Sequence, residues 1–97
     1  MTCRYSDTDW RDVLYNAVRA APDGVTGAAR FLTERRGRSI HPETLRARLR
    51  GVDGESPSMD MVVLLTEWLQ DLRRPDALAW LHALNASFGL VATGAAD

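Results

Sequence analysis

The stretch from residue 27 to residue 50 constrains this chain most, because Gly37 and Pro42 cut it into two helical halves joined by a short connection. In the first half Ala28, Ala29 and Leu32, with Phe31 beside them, point one way, and the small residues allow a neighbouring helix to approach closely. Pro42 suits a first helical position, since its φ is already helical and its missing N–H would find no partner there. Leu45 and Leu49 then share one face of the second half. Glu43, Ala47 and Arg50 fall opposite, flanked by Thr44, Arg46 and Arg48. The stretch therefore reads as helix, turn, helix over about 25–50, with an apolar inner face and a largely arginine outer face on the second helix.

Helical periodicity continues on both sides. Residues 1–5 carry no pattern and are expected to be flexible. From Ser6 onward, Asp7, Asp9 and Asp12 load a helix start with negative charge, and Trp10, Val13, Leu14, Ala17 and Val18 follow the apolar stripe of a first helix. Pro22, Asp23 and Gly24 end it. After Gly51 the composition is that of a loop, and either Ser56 or Ser58 can cap the next helix, expected over 58–72. Met61, Leu64, Leu65, Trp68, Leu69 and Leu72 make that the most regular apolar stripe in the chain. Pro75 and Asp76 start a last helix over 75–88, carrying Ala77, Leu78, Trp80, Leu81, Leu84 and Phe88 and stopping at Gly89. Residues 90–97 are small and weakly patterned, so a flexible tail is expected. No segment alternates with the period of a strand. The predicted fold is all-α, a small five-helix domain over 6–89 containing a helix-turn-helix. Its expected core is Trp10, Leu14, Ala28, Leu32, Leu45, Leu49, Leu65, Trp68, Leu69, Leu81 and Leu84.

A length of 97 residues fits one domain, and a net charge of −1 gives no hint of a polyanionic partner. The distribution of charge does. Seven arginines (30, 35, 36, 38, 46, 48 and 50) face only Glu34 and Glu43 between residues 30 and 50, so this window carries +5 and the remainder −6. Segregation of this kind marks one face as an electrostatic footprint. All 12 basic residues are Arg, which coding bias explains as readily as recognition chemistry. Cys3 is the sole cysteine, so no intrachain disulfide or Cys-x-x-Cys site can form, as suits a reducing cytoplasm. The longest aliphatic run, 62–65, is far too short for a bilayer span. A cytoplasmic protein without membrane contact is expected.

Candidate sites follow from the arginine window. Arg46 and Arg50 can fork onto guanine, Thr44 can donate or accept, and Ala47 or the Thr44 methyl can meet a thymine methyl, so Glu43, Thr44, Arg46, Ala47 and Arg50 are the base-contact candidates. Arg35, Arg36, Arg38 and Arg48 are the phosphate-contact candidates. The plain alternative is a solvated helix face. Glu34 and Glu43 have no partner at catalytic spacing, and His41 and His82 have no second ligand nearby, so neither an enzyme nor a metal site is expected. Nothing calls for a cofactor or a small-molecule substrate. Leu78, Trp80 and Phe88 exceed what one inner stripe can use and are the oligomer-interface candidates; Trp80 either lies there or completes the monomer core.

Several pieces together carry a resemblance: Leu14-Tyr15-Asn16-Ala17-Val18, Pro22-Asp23-Gly24-Val25, Pro42-Glu43-Thr44-Leu45-Arg46-Ala47-Arg48-Leu49, Asp76-Ala77-Leu78, Leu81-His82-Ala83-Leu84-Asn85 and Phe88-Gly89. In this order and spacing the chain resembles the CII-like regulatory proteins of temperate phages and prophages. The resemblance implies an all-α, repressor-like domain, a sequence-specific transcriptional regulator that binds double-stranded DNA at promoters of the lysis or lysogeny control region. It also implies a homodimer or dimer of dimers and admits RNA polymerase as a further partner. Two departures stand out: the segment 34–40 is about three residues longer than the family's tight turn, and the loop after Gly51 is acidic where the family carries paired histidines. The competing reading is a helical protein-interaction module, an adaptor or anti-repressor that has lost DNA binding.

Overall fold

A computed structural model describes residues 9–90 as five α-helices: α1 (Trp10–Ala20), α2 (Gly24–Arg36), α3 (Pro42–Arg50), α4 (Met59–Asp71) and α5 (Ala79–Ser87). No strand occurs among the described residues. The fold is all-α, as the periodicity predicts. The expectations for residues 1–8 and 91–97 lie outside the described residues.

Local chemistry sets most boundaries. Asp9 caps α1, its carboxylate accepting the Arg11 backbone N–H at 2.7 Å. Ser58, not Ser56, caps α4 by accepting the Met61 N–H at 3.2 Å. Gly37 and Gly51 close α2 and α3 in the left-handed conformation that a Cβ disfavours.

The last helix departs from expectation. It begins at Ala79, four residues beyond Pro75, because residues 75–78 are wound as tight turns in which Ala77 donates to the Arg74 carbonyl and Ala79 to that of Asp76. What precedes those turns is a chain reversal after α4: Arg73 takes φ +57°, its N–H bonding the Gln70 carbonyl while the Arg74 N–H reaches that of Leu69. This is a Schellman closure with arginine where glycine is usual.

The core is shared by all five helices. Leu14, Leu32, Leu45, Leu49, Met61, Leu65 and Leu69 are fully enclosed. α1 packs on α3 and α5, and α2 packs on α3 and α4. Close approach of α2 to α4 depends on Gly27, where a Cβ would sit 2.6 Å from Asp23 Cβ and 3.4 Å from the Trp68 ring.

One expected core position, Leu81, and the α4 stripe are corrected. Leu81 is 37% exposed and Leu72 38% exposed, while Val62, absent from the expected stripe, is fully buried. Trp80 is the converse case. It is buried, stacks obliquely on half-buried Trp10 with ring centroids 5.7 Å apart, and donates its indole N–H to the Thr66 hydroxyl at 2.8 Å. Trp80 thus completes the monomer core, and α5 is rotated so that Leu78, Leu81 and Phe88 face outward.

Candidate nucleic-acid interface

α2 and α3 form a helix-turn-helix whose connection, residues 37–41, is pinned rather than loose. The Ile40 N–H donates to the Thr33 hydroxyl at 3.1 Å and Gly37 donates to the Thr33 carbonyl, so both ends of the turn are tied to one residue of α2. Ile40 packs against the core. His41 then caps α3, its Nδ1 accepting the Glu43 N–H at 3.1 Å. These contacts fix the turn, and α3 is seated on the core through buried Leu45 and Leu49.

The outward side of α3 exposes Glu43, Thr44 and Arg50 to solvent and Ala47 in part. Arg46 and Arg48 emerge on opposite edges. Arg46 pairs with Glu43 one turn back and lies beside Tyr15 of α1; the Glu43 contact above all, and then the Tyr15 hydroxyl, raise the guanidinium pKa. Arg46 in turn holds the Glu43 carboxyl below its ordinary range. On the other edge, Thr44 and Arg48 meet Arg36, Arg38, Ser39, Ile40 and His41 around a concavity of about 290 Å³. Three guanidiniums beside the first turn of a helix form an anion-attracting arrangement.

The arginines divide by partner. Arg30 pairs with Asp23 at 3.7 Å, Arg35 with Glu67 of α4 at 3.1 Å, and Arg48 with Glu55 at 3.4 Å. Arg35 also lies over the Phe31 ring. It stands apart from the cluster that Arg36, Arg38 and Arg48 share. Among the described residues, Arg36, Arg38 and Arg50 have no carboxylate within ion-pair distance.

Sequence reasoning missed two features. The turn after α3, with Asp53 and Glu55, lies beside Glu43, Thr44, Ala47 and Arg48, so one side of this face is bordered by acid. Its signal was the acidic loop composition, but not its position. Tyr15, Asn16 and Arg19 of α1 border the Arg46 edge through Tyr15, and only the α1–α3 packing brings them there.

The chain matches no family model, no curated protein and no solved structure. Among the described residues no group of three or more His, Cys, Asp or Glu could hold a metal ion, and no helix is long and apolar enough to cross a membrane.

Proposed function

We propose that this protein is a sequence-specific, double-stranded-DNA-binding transcriptional regulator that inserts α3 into the major groove. The observation that carries this reading is the grouping of Arg36 and Arg38, which have no carboxylate within ion-pair distance among the described residues, with Arg48 beside the exposed first turn of α3. In a helix-turn-helix the early residues of the second helix meet base edges while flanking cations hold phosphates. Glu43, Thr44, Ala47 and Arg50 are the outward residues suited to base edges, with Arg46 contributing from the α1 edge. The collinear motifs shared with CII-like phage regulators support a role at phage or prophage promoters in the cytoplasm.

One short helix reads too few base pairs to find an operator among ~10⁶ or more competing sites, so the functional unit is proposed to be a dimer or dimer of dimers. The exposed apolar residues Leu78, Leu81 and Phe88 on and beside α5 supply its surface. The second reading, a helical interaction module without DNA binding, draws on the same exposed residues and on the acid beside α3.

Binding to a randomised duplex library in a salt titration separates the two. The expected result is binding at low salt that falls steeply as salt rises, with enrichment of a preferred sequence. Arg46→Ala or Arg50→Ala is expected to lose about 1–3 kcal/mol on that sequence alone, and Arg38→Ala to weaken all duplexes alike. Absence of binding at low salt overturns the DNA reading in favour of the interaction module.

A further inference from the structure

We infer that the nucleic-acid surface extends onto α1, where Arg19, held by Asn16 and Tyr15, contacts phosphate on the flank of α3 opposite Arg36 and Arg38. The inference rests on the DNA-binding reading above and adds to it a second wall. An α-helix with its side chains is about 10–12 Å across, close to the ~12 Å width of the major groove, so a helix in the groove has a phosphate strand along each flank. Cations on one flank alone leave the other wall uncontacted.

The two flanks of α3 are distinguishable here. Thr44 and Arg48 leave toward Arg36 and Arg38, whereas Arg46 leaves toward Tyr15 of α1. One helical turn beyond Tyr15, the exposed Arg19 lies with its guanidinium carbon 5.8 Å from the Tyr15 ring centroid, while its Nε donates to Asn16 Oδ1 at 3.0 Å. No carboxylate lies within ion-pair distance of Arg19 among the described residues. The helix dipole accounts for a cation in the last turn of α1. It does not account for a ring and a carboxamide that both orient that cation. With Nε engaged and one face against the ring, the terminal Nη groups remain for an anion, the fork geometry that phosphate favours. Asn16 and Tyr15 are positioning residues in this arrangement. The acid nearest on the outward side of α1 is Asp12, further toward the N-terminus.

The test compares Arg19→Gln, Arg19→Lys, Arg38→Gln and Arg73→Gln by salt-titrated binding to a random-sequence duplex, with circular dichroism confirming the helical fold of each. Arg19→Gln and Arg38→Gln are each expected to flatten the log–log salt slope by about 0.9, the yield of one phosphate contact. Arg19→Lys should restore the slope, and Arg73→Gln, on the α4–α5 connection, should leave it unchanged. If Arg38→Gln flattens the slope and Arg19→Gln does not, the α1 wall is refuted while the DNA reading stands. Equal flattening by Arg73→Gln also refutes it, since the effect would then be diffuse charge. If the parent protein binds no duplex even at low salt, both fall together.

Discussion

The indole N–H of Trp80 donates to the Thr66 hydroxyl at 2.8 Å, joining α5 to α4 across the core, and that hydroxyl donates in turn to the Val62 carbonyl at 2.8 Å. The pair orients α5. Thr66→Val preserves shape but leaves a buried indole N–H without a partner, at an expected cost of about 1–3 kcal/mol. Thr66→Ser should recover most of it. Denaturant unfolding of the three proteins checks the order, and equal stability of Val and Ser variants would show that the bond does not hold α5.

Leu65 is fully enclosed in the centre of α4, whereas Phe88 is 77% exposed at the end of α5. Leu65→Ala is expected to lose about 2–5 kcal/mol through transfer and cavity terms. Phe88→Ala should stay within about 0.5 kcal/mol in the monomer. Thermal unfolding at low protein concentration measures both.

Glu55 holds the Arg48 guanidinium at 3.4 Å on the edge of α3. Glu55→Gln removes a negative charge from the proposed interface and frees a positive one, so duplex affinity at low salt should rise several-fold and the salt slope steepen by up to about 0.9. Folding stability should move by about 1 kcal/mol or less, because both side chains are partly exposed to solvent. Unchanged or weaker binding would remove the acid turn from the electrostatics of the site.

The side-chain hydrogen bond from Arg11 is the main reason the Asp9 carboxyl titrates below its ordinary value, with the Arg11 backbone N–H and charge adding to it and partial burial opposing. The depressed folded value means that the unfolded chain binds the proton first. The contribution to stability is complete above the unfolded value near pH 4 and is lost as pH falls through the lower folded value. Asp9→Asn keeps a cap acceptor without a titrating group. Its stability relative to the parent should therefore improve as pH is lowered through that window, as read by denaturant unfolding.

Leu78, Leu81 and Phe88 are 39, 37 and 77% exposed, and Trp80 is 7% exposed. If α5 pairs two copies, Leu81→Glu with Phe88→Glu should convert a dimer to a monomer without loss of helicity, while Trp80→Glu should unfold the chain. Light scattering with and without duplex decides this. A parent protein that stays monomeric on DNA sinks the dimer.

The amino-acid sequence by itself determined the number of helices and most of their ends, because these depend on neighbours a few residues away: Asp9, Ser58, Gly37, Gly51 and the ring of Pro42 act within one turn. It likewise marked which side of α3 is apolar, since Leu45 and Leu49 repeat at helical spacing. Two things were decided only by tertiary structure. α5 is apolar on more than one side, so periodicity set Leu81 inward and left Trp80 between the core and the surface, whereas Thr66, 14 residues away, offers the indole a partner and turns Trp80 inward. The arginines were equally alike on paper. Glu67 draws Arg35 aside and Glu55 binds Arg48, whereas α1 carries Arg19 toward the Arg46 edge of α3. Which cations remain for a polyanion depends on carboxylates and helices brought close by packing, and that information is non-local.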